Sequence, residues 1–445
     1  MPQPAGVVLA HGIGGAKDLP VPASYAIIGA SVALAVSFAV LAVAWRTPRF
    51  DAETKGRPLT GRPERLLEST GFAVVLRVIG FGFFCYMVWA AVAGPDLVLN
   101  PVFGVVYVWL WVGVVFASAL LGPVYKAISP LRTIHLLFSR LTGGDPEQGV
   151  LELPRWVGYW PAALGLLAFV WLELVSPEST YLAPVRLWFA LYLAIGFVGS
   201  VLFGSRWLAA ADPFEVYSTL VGHLCVVGRR GGDGRLVLRS PLGNLDGVPA
   251  RAGLTGVVAV LFGSTAFDSF KDSTRWLVFV QNTQASTELV NAAALVTFCL
   301  VVFVTFCVAT MATGVDSGVR RTHLPDLFAH SVVPIVVGYI VAHYLSYFVE
   351  VGQQTLVQLS DPMGTGADLL GTGNLGVSYW ISGHPTFLAV LKVLSVVTGH
   401  VVGVVAAHDR AIKLLPKRHQ LTGQLPLLAV MVFFTVAGLY LLFSS

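Results

Sequence analysis

The chain has 445 residues, 56% of them hydrophobic and only 12% charged, with a mean hydropathy of +0.75. A water-soluble fold has no way to hide that much apolar surface, so the composition is that of an integral membrane protein whose main partner is the lipid bilayer. The net charge of +4 comes from basic residues spread over several loops rather than gathered in one patch, which argues against a nucleic-acid partner.

In chain order, residues 1–22 form an N-terminal tail that contains His11, and residues 23–445 read as a single polytopic membrane domain. A spanning helix needs roughly 20 mostly apolar residues. Ten stretches qualify: 23–45, 71–93, 101–121, 156–175, 184–204, 253–267, 286–313, 327–350, 385–407 and 425–443. The sixth is short and reaches length only by starting nearer Arg251 or by running past Asp268. Twenty-two of the 28 Lys and Arg fall in the alternate loops 46–70, 122–155, 205–252, 314–326 and 408–424. Because loops retained in the cytoplasm carry the excess of positive charge, these five face inward and both chain ends face outward across a plasma membrane. The expected fold is an all-α integral membrane protein of about ten transmembrane helices, with short cytoplasmic interfacial helices and a small cytoplasmic β-hairpin.

Two of the inner loops resemble each other. The third span leads into Ser129-Pro130-Leu131-Arg132 and the fifth into Asp212-Pro213-Phe214-Glu215. A Ser or Asp cap followed by proline at the first helical position starts a helix. Apolar residues at helical spacing (Leu131, Ile134, Phe138; Phe214, Tyr217, Leu220) suit each helix to the inner interface. Either the two segments are copies of one hairpin-plus-helix unit, or Ser-Pro and Asp-Pro are merely common turn signals. Residues 226–240, two short apolar runs around Arg-Arg-Gly-Gly-Asp-Gly-Arg, read as the β-hairpin. Residues 361–383, rich in Gly, Ser and Asp, form an outer loop that is a connector or a lid. The four cysteines have neither disulfide nor metal-motif spacing and read as packing residues.

An ionisable side chain inside a span is costly and calls for a partner or a function. His330 and His343 lie on the eighth span, and His400 and His408-Asp409 on the ninth. Tyr339 and Tyr347 flank His343 by one turn, and Glu350 follows two turns on. Acids collect at the outer end as well: Glu173, Asp268 and Glu288, with His384 and His11 on the same side. Imidazole and carboxylate suit zinc or copper and also relay protons. One reading is an outward-facing site for a metal ion or small molecule, built from some subset of His11, Glu173, Asp268, His343 and His400. The other is that these groups serve helix contacts or the headgroup region, which suits Glu288, Glu350, His384, His408 and Asp409 best, with His330 a second-tier polar residue of the eighth span. Lys392, at the depth of His343, either counters a carboxylate or snorkels outward. No metalloprotease, nucleophile-elbow or Walker motif is present, and the histidine spacing does not support haem.

Several segments together resemble a family of actinobacterial polytopic membrane proteins labelled fenitrothion hydrolase. They are Ala10-His11-Gly12, Asp18-Leu19-Pro20-Val21-Pro22, Trp171-Leu172-Glu173-Leu174-Val175, Phe267-Asp268, Phe328-Ala329-His330 through Ala342-His343-Tyr344, and Gly399-His400 to Ala407-His408-Asp409-Arg410. The resemblance implies a membrane-bound, metal-dependent organophosphate hydrolase in which an activated water attacks a phosphotriester. The residues equally allow a transporter or metal- or proton-handling protein, or an assembly factor for a membrane complex. In such relatives the Ala-His-Gly segment follows a cleaved signal peptide, whereas residues 1–10 here have neither a basic start nor a long apolar core. Were the chain cut after Ala10, the amine and imidazole of His11 would together chelate copper.

Overall fold

The computed structural model describes residues 14–313, 315 and 318–444. Each of the ten apolar stretches is a helix: α1 (Ala23–Ala44), α2 (Thr70–Ala93), α3 (Pro101–Leu121), α4 (Trp160–Leu174) and α5 (Leu182–Phe203). They continue with α6 (Leu254–Lys271), α7 (Thr287–Met311), α8 (Val333–Leu359), α9 (Pro385–Leu414) and α10 (Leu425–Ser444). Among the described residues, 8 of these helices are long and apolar enough to cross a membrane. The other two are α4, with 15 residues, and α6, which runs past Asp268 to Lys271 and so gains length by taking in polar residues. The helices turn aliphatic ridges outward. On α1, Ile28, Val32, Val36 and Val40 recur every fourth residue and each is more than half exposed. Such continuous apolar surface is stable only against lipid or another apolar partner.

The chain forms two compact units. Unit 1 comprises residues 1–50, 258–354 and 375–445, with α1, most of α6, and α7 to α10. Here α8 and α9 cross closely because small residues face each other: a Cβ on Gly399 would lie 2.6 Å from the Pro334 carbonyl, and one on Gly403 2.6 Å from that of Ser331. Asp409 on α9 ties down the end of α1, accepting hydrogen bonds from the Trp45 indole (2.9 Å) and the Arg49 backbone N–H (2.6 Å). His408 beside it bonds Gln424 and the Trp45 carbonyl.

Unit 2 comprises residues 51–257 and 355–374. Its small antiparallel sheet has the order β1-β3-β2, with β1 Arg57–Pro58, β2 Val227–Arg229 and β3 Leu236–Leu238. The expected hairpin is β2–β3, and the loop after α1 adds the third strand. In α3 the central Gly104–Gly113 is wound as a π-helix, which swings Trp111 onto Phe169 and Tyr217.

The two resembling loops have the same backbone plan. Helix α3 ends at Gly122 (φ 89°), followed by a short helix Val124–Ile128, the cap Ser129 and a longer helix Pro130–Leu141. Helix α5 ends at Gly204 (φ 68°), followed by Ser205–Ala211, the cap Asp212 and Pro213–Gly222. Both glycines combine positive φ with extended ψ, a conformation closed to residues with a Cβ. Ser129 Oγ accepts from Arg132 N–H, and Asp212 from Phe214 and Glu215 N–H. Each hairpin turns back into the unit. The Ile128 carbonyl sits where a side chain on Gly80, halfway along α2, would be. Asp212 bonds Tyr192, halfway along α5. At ~1.5 Å per residue both tips are roughly 15 Å from the ends of those helices. Each returning helix then packs on the other copy: Leu131 fills the space over Gly196 of α5, and Ser218 bonds Ser118 of α3 at 2.8 Å. This corrects the expectation of two surface-lying helices. Pro130–Leu141 keeps an exposed face, but Pro213–Gly222 is buried on every side, because Arg132 neutralises Glu215 and Ser118 satisfies Ser218 on what would have been its polar face.

Candidate functional site

The site forms in unit 1 where the last turn of α6 meets the middle of α8. Asp268, Ser269 and Lys271 come from α6; Tyr339, His343 and Tyr344 come from α8, the first two one turn apart on a shared face. His343 straddles two consecutive residues of α6. Its Nε2 lies 2.9 Å from Asp268 Oδ2, and its Nδ1 3.1 Å from Ser269 Oγ. The Tyr344 hydroxyl donates to the same Asp268 oxygen at 2.7 Å, and Lys271 Nζ lies 3.0 Å from Oδ1. The Tyr339 hydroxyl donates to Ser269 Oγ at 3.0 Å. The result is one hydrogen-bonded chain, Tyr339–Ser269–His343–Asp268–Lys271. It runs from a floor of packed rings, Phe262, Tyr339 and Phe434, to a lysine whose side chain is 25% exposed, with the Asp268 side chain at 4%.

This chain suits proton exchange. With His343 neutral, Nε2–H donates to Asp268 and Nδ1 accepts the Ser269 proton. Ser269 has a second acceptor, the Thr265 carbonyl at 3.3 Å. When a proton arrives on Nδ1, the serine hydroxyl turns to Thr265 and its oxygen accepts from the imidazole. Both charge states are therefore fully hydrogen-bonded.

The other sequence candidates are placed apart. His11 lies outside the described residues. Glu173 stands near the end of α4 in unit 2, within electrostatic range of Tyr217. His400 is buried in α9, with Nδ1 bonded to the Val396 carbonyl of its own helix and Nε2 bonded to no described residue. His330 bonds the Leu327 carbonyl, Glu350 accepts from the Ser382 backbone and hydroxyl, and Lys392 is buried within range of Asp18. The N-terminal turn Ala16–Asp18 packs on α9, where a Cβ on Gly14 would lie 3.0 Å from Leu388 and Ala389. His330, His400, His408 and Asp409 do not bond to one another; the helical geometry that brings them within a few turns leaves each facing a different partner.

Zinc or copper asks for three or more ligands with open lone pairs. Among the described residues no three His, Cys, Asp or Glu converge in that way. Both nitrogens of His343 and both oxygens of Asp268 are engaged by protein partners. The described residues thus do not fit a resident metal. Sequence reasoning placed Asp268 and His343 in one candidate set but missed Ser269, Lys271 and Tyr344; the signal available was their adjacency in the chain to those two residues. No family model, curated protein or solved structure matches the chain.

Proposed function

We propose that this is a proton-handling protein of the plasma membrane, crossing it ten times with both ends outside, and that the Asp268–His343 pair exchanges protons with the outer side in the service of transport. The observation that carries this reading is the unbroken hydrogen-bonded chain from Tyr339 to Lys271, which is complete in two protonation states. The basic loops support the orientation, since they lie at the opposite helix ends from Lys271. Reconstituted into liposomes with a trapped pH dye, the full chain takes up protons under an imposed pH gradient, and His343→Gln and Asp268→Asn abolish the uptake. Wild-type rates in both variants would refute the proposal.

A second reading rests on a separate feature of the same groups: Ser269, His343 and Asp268 stand in hydroxyl–imidazole–carboxylate order, the arrangement that activates a nucleophile. In it the protein is an organophosphate hydrolase, the substrate class that the sequence resemblance implies, with a serine nucleophile in place of the metal-activated water. Ser269 Oγ bonds to phosphorus, its proton passes to His343 and then to the departing phenolate, and water frees the serine. A fluorophosphonate probe labels Ser269 in this case, and fenitrothion turnover disappears in Ser269→Ala. An unlabelled, inactive but folded wild type counts against it.

A further inference from the structure

Unit 2 contains a second cluster of buried titratable groups, at the tip of the second returning hairpin, and it differs in kind from the first hairpin. The corresponding cap and third helical residue are Ser129 and Arg132 in one copy, Asp212 and Glu215 in the other. Arg132 grips Glu215 through two bonds, Nε to Oε2 at 2.5 Å and the terminal nitrogen to Oε1 at 2.6 Å. That pair is neutral as a whole. Asp212, 3% exposed, is left with no cation in ion-pair contact among the described residues, and Glu215 follows one turn later. Its Oδ1 accepts the two backbone N–H groups of its own helix, and its Oδ2 accepts from the Tyr192 hydroxyl at 2.9 Å. Tyr192 is in turn 2.9 Å from the Tyr125 hydroxyl, and either can be the donor.

That ambiguity has a chemical meaning. With Asp212 ionised, Tyr125 donates to Tyr192 and Tyr192 donates to Oδ2. With Asp212 protonated on Oδ2, the direction reverses: the carboxyl donates to Tyr192 and Tyr192 to Tyr125. Both states keep every bond between the three groups, so one proton is gained or lost without opening the core. Burial and the neighbouring Glu215 push the Asp212 carboxyl up to about 7.

An independent observation lies on the same helix. The Tyr217 hydroxyl, on a fully buried ring, is bonded to no described residue. The carboxylate within its electrostatic range is Glu173 of α4. A buried hydroxyl of this kind is ordinarily satisfied by an internal water. The groups facing the tip are Glu215 on the helix itself, Tyr125 and Arg132 from the first hairpin, Tyr192 from α5, and Glu173 from α4 toward Tyr217.

We propose that Asp212 is a proton-binding site of unit 2, with the Tyr192–Tyr125 pair as its reversible relay. It does not rest on the Asp268–His343 reading. The test is infrared spectroscopy of the full chain in liposomes. The wild type is expected to show a protonated-carboxyl band that fades as pH rises through neutrality. That band should be missing in Asp212→Asn, which keeps a competent helix cap, and present in His343→Gln. After transfer to heavy water it should exchange about 100-fold more slowly in Tyr192→Phe, which breaks the relay. A band that survives in Asp212→Asn, or no band in the wild type, overturns the site; an unchanged exchange rate in Tyr192→Phe overturns the relay. If instead His343→Gln retains proton uptake while the Asp212 results hold, only the unit 1 reading fails.

Discussion

Asp268 and Asp409 are both buried aspartates of unit 1, and each has a lysine one helical turn later, Lys271 and Lys413. Their remaining partners separate them. Asp409 is held by an indole and by the backbone N–H groups of Arg49 and Phe50, donors that never give up their protons. Asp268 is held by an imidazole and a phenol, and through the imidazole by a serine with two acceptors to choose from. The first arrangement is a clamp built from donors with fixed protons. The second can pass a proton along. What distinguishes a working carboxylate in a membrane protein is thus the titratability of its neighbours, more than its burial or its nearest cation.

The largest effect expected from this contrast is on folding. Asp409→Ala removes the shared acceptor of three donors together with the contact to Lys413 and should cost about 3–5 kcal/mol, seen as a lower midpoint of thermal unfolding in detergent. A stability loss in Asp409→Ala no larger than that of Asp268→Asn would break the comparison. Next comes function: His343→Gln keeps a donor and an acceptor in place of the imidazole, so it should lose proton uptake while its unfolding midpoint stays near that of wild type.

A smaller effect involves unit 2 and is a matter of sign. The Asp212 carboxyl is raised to about 7, so the folded chain holds a proton that the unfolded chain has already released. The stabilisation from this group is full at acid pH and is lost as pH rises from the ordinary carboxylate range through about 7. Asp212→Asn should flatten that portion of the curve of unfolding midpoint against pH; an unchanged slope would show that another group is responsible. The smallest effect is that of Ser269→Ala, which removes two interhelical hydrogen bonds, those with His343 and Tyr339, together on the order of 1 kcal/mol. It should slow uptake without abolishing it, because His343 and Asp268 remain in contact.

Much of the fold was legible in the sequence because hydropathy and length are strong, local signals. Ten apolar stretches became ten helices, and even the short sixth lengthened past Asp268 as its length required. The β2–β3 hairpin followed from turn chemistry. Less legible was the fate of the two capped helices. Spacing of Phe214, Tyr217 and Leu220 shows that a face is apolar, but an interface and a protein core satisfy that pattern equally; the burial of Pro213–Gly222 depends on Arg132, 83 residues away from Glu215 in the chain. The pairing of Asp268 with His343 was likewise only a shared membership in a list, since contact between residues 75 positions apart is set by helix packing. Ser269 and Tyr344 carried no signal of their own, being common residues that acquire a role only from the ring between them.

The central claim is that the Asp268–His343 pair gains and loses a proton while the Asp409 cluster does not. Its most direct test is the number of protons taken up by the detergent-purified chain on a small pH jump, read with an indicator dye and compared among wild type, His343→Gln and the conservative Asp409→Asn. Proton uptake that falls in His343→Gln and is unchanged in folded Asp409→Asn is the predicted result. Equal uptake in wild type and His343→Gln would contradict it.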